Sequence, residues 1–446
     1  MTHLRRVMGF WDLVLFYVVT TFSIRWIATA AAAGPSALSI WLIACGTFFV
    51  PLAYCVLRLS DLYPDEGGLY VWTKAAFGDF AGFITGWNYW GSNLPYFPSL
   101  LYFAAGSALF IGGPQWQRLS TNRTYFIVVS VVGLALGAGL NIAGLDISRW
   151  LHNIGAITSW APALLLVIMA PVAWMRFGAA TAITWTSIIP ATHLKDVIFW
   201  STIAFAFSGV ESASVMAGEI RDAKKIIPPA ILLSGVVMAV FYLAATASVL
   251  IAVPQKDISG LQGITQAIDA VATRTGVRAV VPFAAAMVAI SAVGGVAAWF
   301  ATSGRLPFVA GVDRFLPAAF GRLHPKWGTP HIALIVQAAI ALVFVLLGQA
   351  GTSVKGAYDV LVSMSVITYF LPYLFMFAAL IKLDPRTAAR WWGSLGFLTT
   401  LISIVLAAIP ADDDPNKLLA VTKTIGLTAV MIGIGTALYW RARRRV

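Results

Sequence analysis

The sequence predicts an all-α membrane protein with 12 transmembrane helices, and three observations predict it. Hydrophobic residues make up 59% of the 446 residues and charged residues 11%, where a soluble domain carries about a quarter charged. The charges sit in short islands between long apolar runs. Runs of about 20 apolar residues are the length that crosses roughly 30 Å of hydrocarbon at helical rise. Lastly, Lys and Arg divide unequally between alternate islands, as cytoplasmic and external loops do.

The apolar runs, taken in order, place spans at 10–33, 36–58, 80–111, 124–142, 151–174, 197–220, 228–252, 279–304, 330–348, 358–381, 392–409 and 419–440. The first follows MTHLRRVMG, which is too short and polar for a cleaved leader, so span 1 is its own insertion signal. Span 2 carries both cysteines, Cys45 and Cys55. Ten residues apart on one helix, they stand about 15 Å apart and form no disulfide. Span 3 is long enough to tilt or to include an interfacial turn. Spans 4 to 12 alternate with islands such as RDAKK, GRLHPK, KLDPR and the tail RARRR. With both termini inside, 19 of the 30 basic residues lie on the cytoplasmic side and ten outside, with Arg25 within a span. The expected location is therefore the cell (inner or plasma) membrane, multi-pass, with both termini cytoplasmic. The net charge of +12 is explained by this asymmetry, and no segment is left to bind nucleic acid.

Two spans carry polar residues in their middle. Span 1 holds Thr20, Thr21, Ser23 and Arg25; span 6 holds Ser208, Gly209, Glu211, Ser212 and Ser214. Glycine and small hydroxyl residues favour backbone partners outside the helix ladder. Open backbone is tolerated at membrane depth only inside protein or along a water-filled cavity. Span 1 runs outward and span 6 inward, as an inverted five-helix repeat requires, and broken helices in matching positions point to a transporter's central site. Small residues also line ordinary helix contacts. The charges separate the two readings, since a charge at mid-bilayer costs roughly 2.5–3.5 kcal/mol on insertion scales. Arg25 and Glu211 are both there, either as working groups or as an ion pair holding the helices together.

Three blocks then resemble a known family in its own order: PDEGGLYVWTKAAFGDFAGFITGWNYW, GVESASVMAGEIRDAKKIIPPAI and SGRLPFVAGVDRFLPAAFGRLHPKWGTPHIAL. The chain is similar to amino acid/polyamine/organocation (APC) permeases, and SIRWIA resembles the glutamate/GABA-antiporter branch. The resemblance implies a LeuT-type 5+5 inverted repeat with helices 1 and 6 broken, plus two extra C-terminal helices. The units are then 1–174, 175–381 and 382–446. It implies a substrate site between helices 1, 3, 6, 8 and 10. By motif match, Glu211 takes the proton-sensing role, Phe205 lids the substrate, and Asn93 and Trp299 contact it. The family's first-helix G-S-G, whose amides hold a carboxylate, is absent; Thr21 to Ser23 stand in its place. Span 5 holds no lysine, so a lysine-based proton site is not expected. Sodium stays open through the oxygens of Thr302 and Ser303.

The expected partners are a small-molecule substrate, an amino acid, and the lipid bilayer; no cofactor or metal is expected. The free N–H end of a half-helix favours the substrate carboxylate, and a C-terminal end its ammonium. Arg25 adds a bidentate partner for a carboxylate, either the α-carboxylate or one on the side chain. Both options disfavour a polyamine, unless Arg25 pairs with Glu211. A buried carboxyl favours its protonated form until water or a cation reaches it, so Glu211 is expected to link proton movement to the direction the site faces. Rival classes find little support. The five histidines are scattered, with no HExxH and no nucleophile elbow for an enzyme, and no pore-loop repeat suggests a channel.

Overall fold

The computed structural model describes residues 9–63, 68–190, 194–211, 223–304, 315–410 and 416–444. Within them the chain is helical, with no strand among the described residues. The first predicted span is two helices, α1 (Phe10–Thr21) and α2 (Arg25–Ala32). Span 2 is α3 (Ser36–Leu62), which widens to a π turn at Cys45–Phe49. A short helix α4 (Leu69–Phe77) leads into span 3, which is α5 (Asp79–Gly91) and α6 (Asn93–Ala108) joined at Ser92. Then come α7 (Arg123–Ala143), α8 (Leu145–Phe177) and α9 (Leu194–Phe205). The second half of the chain contributes α10 (Ala223–Ala252), α11 (Gly263–Thr275), α12 (Val281–Ser303), α13 (His331–Gln349), α14 (Val354–Leu383), α15 (Thr387–Ala407) and α16 (Lys417–Arg443).

Helix overlaps all twelve predicted windows. Nine helices among the described residues are long and apolar enough to cross a membrane. The windows that fall short of this are the first, third and sixth. The first and third are each divided into two helices, and the helix in the sixth stops at Phe205. Residues 212–220 of span 6, including Ser212 and Ser214, lie outside the described residues. Two helices of more than one turn were not expected: α4 in the second-to-third loop, and α11, which packs on α2, α8, α10 and α12. Helix α8 begins six residues before the predicted start, so His152 and Asn153 lie within it rather than at its beginning.

Burial ranks the helices by position. The apolar window of α14 is 72% buried and that of α16 only 28%, so α14 is central and α16 peripheral. Large apolar side chains such as Ile168, Phe283, Val405 and Leu418 are exposed on the outer helices, a band suited to lipid tails. The wide turn in α3 lets two adjacent residues face inward: Phe48 meets Phe370 and Tyr373, and Phe49 meets Phe207. At one end of the bundle Arg58 of α3 donates from Nε to Asp384, just past α14, at 2.8 Å.

Candidate functional site

Helix α1 stops where its last hydroxyl turns back on its own backbone. Thr21 Oγ1 donates to the carbonyl of Tyr17, four residues earlier, with Met238 Sδ 2.7 Å away. Residues 22–24 leave the helix, and α2 restarts at Arg25 with Trp26 N–H donating to Ser23 O at 3.2 Å. No side chain caps this start.

Arg25 is fully buried. Its guanidinium lies 4.0 Å above the Trp26 ring and 4.8 Å from that of Tyr96. Nη1 donates to Ser99 Oγ at 2.7 Å. Nε and Nη2 are buried without a hydrogen-bond partner. These two atoms form one side-on edge of the guanidinium, whose parallel N–H bonds match the two oxygens of a carboxylate.

The chain also leaves helical form after α9. The chain tightens as Phe207 N–H bonds Ala204 O and Ser208 N–H bonds Phe205 O, and Gly209 then adopts φ +111°. A side chain would be strained in that conformation, and a Cβ there would meet Thr21 Cγ2 at 2.8 Å. The two breaks therefore touch.

Glu211, two residues on, is also fully buried. Its Oε1 accepts from the hydroxyls of Tyr369, at 2.6 Å, and Tyr89, at 3.2 Å. Its Oε2 accepts from the hydroxyl of Tyr373 and from Gly209 N–H, the latter at 3.1 Å. Among the described residues, four donors thus converge on its two oxygens.

Two aromatic residues join these centres. Tyr242 of α10 accepts from Ser23 N–H at 3.2 Å, and its hydroxyl lies 3.5 Å from Thr21 O and 3.4 Å from Ala206 O. One phenol thus serves loose backbone groups of both interruptions. Its ring stacks on Trp41 at 4.3 Å, and Trp41 Nε1 donates to Thr246 at 2.9 Å. Phe205 sets its edge against Trp26 at 5.3 Å and Tyr369 at 5.2 Å, so it stands between the Arg25 and Glu211 groups.

The structure brings most of the sequence candidates into this region. Trp299 is half-buried and meets the Tyr96 ring edge-on at 6.2 Å, which places it one ring from Arg25. Ser208 Oγ is buried without a partner. Thr21 points its hydroxyl back along α1 and its methyl at Gly209. The Asn93 amide donates to the carbonyls of Tyr89 and Trp90 on the preceding turn of its own chain. The side chain of Thr20 lies outside the described residues, as does that of Thr302, while Ser303 bonds Trp299 O and Gln337. Among the described residues no ion pair joins Arg25 to Glu211, and none holds three metal-ligating side chains together. Sequence reasoning missed Tyr89, Ser99, Tyr242, Tyr369 and Tyr373. The one signal available was the placement of Tyr89 inside the first of the three motif blocks, four residues before Asn93.

A family model described as amino acid permease matches residues 8–439. The chain belongs to this family. The permease is 27% identical to an uncharacterized transporter of Legionella pneumophila, over 94% of this chain and 92% of the other. It is 23% identical to a probable agmatine/putrescine antiporter of Lactococcus lactis, over 91% and 88%. It is 25% identical to a glutamate/serine transporter of Bacillus subtilis, over 82% and 70%. This permease is thus a multi-pass membrane transporter and not an enzyme.

Proposed function

We propose that this permease is a secondary active transporter that moves amino acids by alternating access, proton-coupled or by exchange. The observation that carries the reading is the unpartnered Nε/Nη2 edge of Arg25, fully buried beside the break between α1 and α2. A buried cation with two open donors in line is a receptor for a carboxylate. The substrate carboxylate lies on that edge, near the N-terminal amides of α2. Its side chain meets Phe205 and Trp299, with Ser23 and Ser208 supplying polar contacts at the breaks. Thr21, Asn93 and Gly209 shape the pocket through the backbone they hold, and Thr20 is assigned to it with them. Glu211 is the proton-holding group. In this reading the architecture is the 12-span inverted repeat, broken at helices 1 and 6, with both termini in the cytoplasm of a cell carrying the protein in its plasma or inner membrane.

The second reading is a polyamine or organocation permease of the same architecture, which the name of the Lactococcus lactis relative favours. Arg25 opposes it, because a buried guanidinium repels a cation that brings no carboxylate. Uptake of labelled amino acids and polyamines into proteoliposomes, under separate pH and sodium gradients, decides between them. Amino acids accumulating and polyamines not is the expected outcome. Polyamine uptake without amino acid uptake would overturn the proposal.

A further inference from the structure

Helix α6 ends at Ala108, and the chain turns through Gly112 and Gly113, the latter at φ +62°, into the one-turn helix Pro114–Gln117. Gly112 lacks a side chain where the Trp116 ring lies: a Cβ there would stand 2.1 Å from it. Opposite, α11 is capped by Gly276 in the left-handed conformation, and the short turn Arg278–Val280 leads into α12. These two bends line a cavity of about 470 Å³. Its walls include Phe110, Gln117, Asp269, Arg278 and Pro282. Arg278 Nε stands 3.5 Å from Asp269 Oδ1, the one ion-pair contact of either among the described residues. The Nη groups of Arg278 and Oδ2 of Asp269 take no part in it. Gln117 Nε2 is buried without a hydrogen-bond partner. The cavity thus presents one cationic and one anionic side chain, neutral in sum, and one open amide donor.

We infer that this cavity binds a zwitterion carrying a primary ammonium beside an anion, and that its occupant is the ethanolamine headgroup of a phospholipid. The phosphate takes the Nη groups of Arg278, which match two of its oxygens, together with Gln117 Nε2. The ammonium donates to Asp269 Oδ2. A headgroup of net negative charge meets Asp269 uncompensated, and a cation without an anion meets Arg278. A free amino acid shares the zwitterion's chemistry, and two features assign the site to lipid instead. The cavity lies where α6 ends and α12 begins, at the depth where headgroups meet the ends of spanning helices. Its wall also continues onto lipid-facing surface. Phe283, next to Pro282, is 74% exposed, and Ile290, seven residues on along the same face of α12, is exposed too. The acyl chains lie along that stripe. Trp116, also exposed, has the interfacial place its amphipathic ring favours. The site is distinct from the breaks and does not rest on the transport reading.

The test uses the purified full-length permease, delipidated in detergent, with phosphatidylethanolamine, phosphatidylcholine or phosphatidylglycerol of the same acyl chains added. Native mass spectrometry counts the lipid retained. Phosphatidylcholine keeps both charges, but its trimethylated ammonium donates no hydrogen bond. Phosphatidylethanolamine should be retained about tenfold more tightly than either other lipid, the value of one charge-assisted hydrogen bond. Asp269→Asn should erase the preference over phosphatidylcholine and raise phosphatidylglycerol to the same level, a gain that misfolding cannot give. Arg278→Gln should weaken all three, since each brings a phosphate. Equal retention of the three lipids by the wild type would overturn the inference, as would a preference that survives Asp269→Asn. Alanine displacing bound phosphatidylethanolamine would assign the cavity to a free amino acid and overturn the lipid source. Should a variant fail to fold, the wild-type comparisons with phosphatidylcholine and alanine still decide.

Discussion

The hydroxyl of Tyr242 accepts the amide proton of Ser23 across 3.2 Å, in the gap between α1 and α2. The same oxygen lies 3.4 Å from the carbonyl of Ala206, at the other interruption. Tyr242→Phe removes that oxygen and leaves the ring stacked on Trp41. A buried amide that loses its partner costs about 1–3 kcal/mol. The expected outcome is a lower melting temperature in detergent and slower uptake. Tyr242→Ala, which also removes the ring, should lose about 3–5 kcal/mol. Unchanged melting in both variants would mean that the phenol does not support the breaks.

Gly209→Ala tests the contact between the two interruptions. It forces a side chain into a backbone at φ +111° and sets its Cβ 2.8 Å from Thr21 Cγ2. Such strain is worth about 1–3 kcal/mol. Thermal unfolding should show the loss. Adding Thr21→Ser removes the opposing methyl but leaves the backbone strained, so the double variant should recover only part of it.

Arg25→Lys keeps the charge and removes the two-pronged edge. Charge-assisted hydrogen bonds are worth about 1.5–3 kcal/mol. The apparent affinity for an amino acid should therefore fall roughly ten- to a hundredfold, while the protein still folds. Ligand-induced thermal shifts and the KM of uptake would both report it; equal affinity in the variant would place the carboxylate elsewhere.

The pair at the end of the bundle gives a pH prediction. Burial works to raise the Asp384 carboxyl, but hydrogen bonds from the Arg58 guanidinium and Arg386 N–H outweigh it and hold the group below the ordinary carboxylate value. A group depressed on folding contributes stability above its unfolded value, and that contribution disappears as pH falls through the lower folded value. Arg58→Gln should lower the melting temperature at neutral pH, by an amount corresponding to about 1.5–3 kcal/mol. The difference between variant and wild type should shrink only at pH below the usual carboxylate range. A difference that persists unchanged into strong acid would exclude Asp384 as its source.

The places where α1 and α9 end could be read from the sequence because local chemistry sets them. Thr21 bonds back to Tyr17 within its own helix, and Gly209 is a glycine because its backbone needs to be one. The partners of Arg25 and Glu211 could not be read, because they are set by which helices meet. Tyr369 and Tyr373 lie more than 150 residues from Glu211 in sequence. In an apolar helix nothing in the periodicity tells an inward tyrosine from a lipid-facing one. Asn93 shows the reverse case. The motif match marked its position, but its amide donates to its own chain. Helix α11 escaped notice because a 13-residue amphipathic stretch between two spans reads as loop when only membrane-length runs are sought.

The wide turn at Cys45–Phe49 also determines the register of everything that follows it in α3. Successive residues of a regular helix step by about 100° around its axis. Winding these five residues at ordinary α pitch, with none removed, would add one residue's step to the helix before Val50. The far half of α3 would then rotate by about that angle, swinging Arg58 off Asp384 and Cys55 off the Met376 carbonyl it faces. This turn is thus the gear tooth that meshes the Tyr242 side of the molecule with its charged rim.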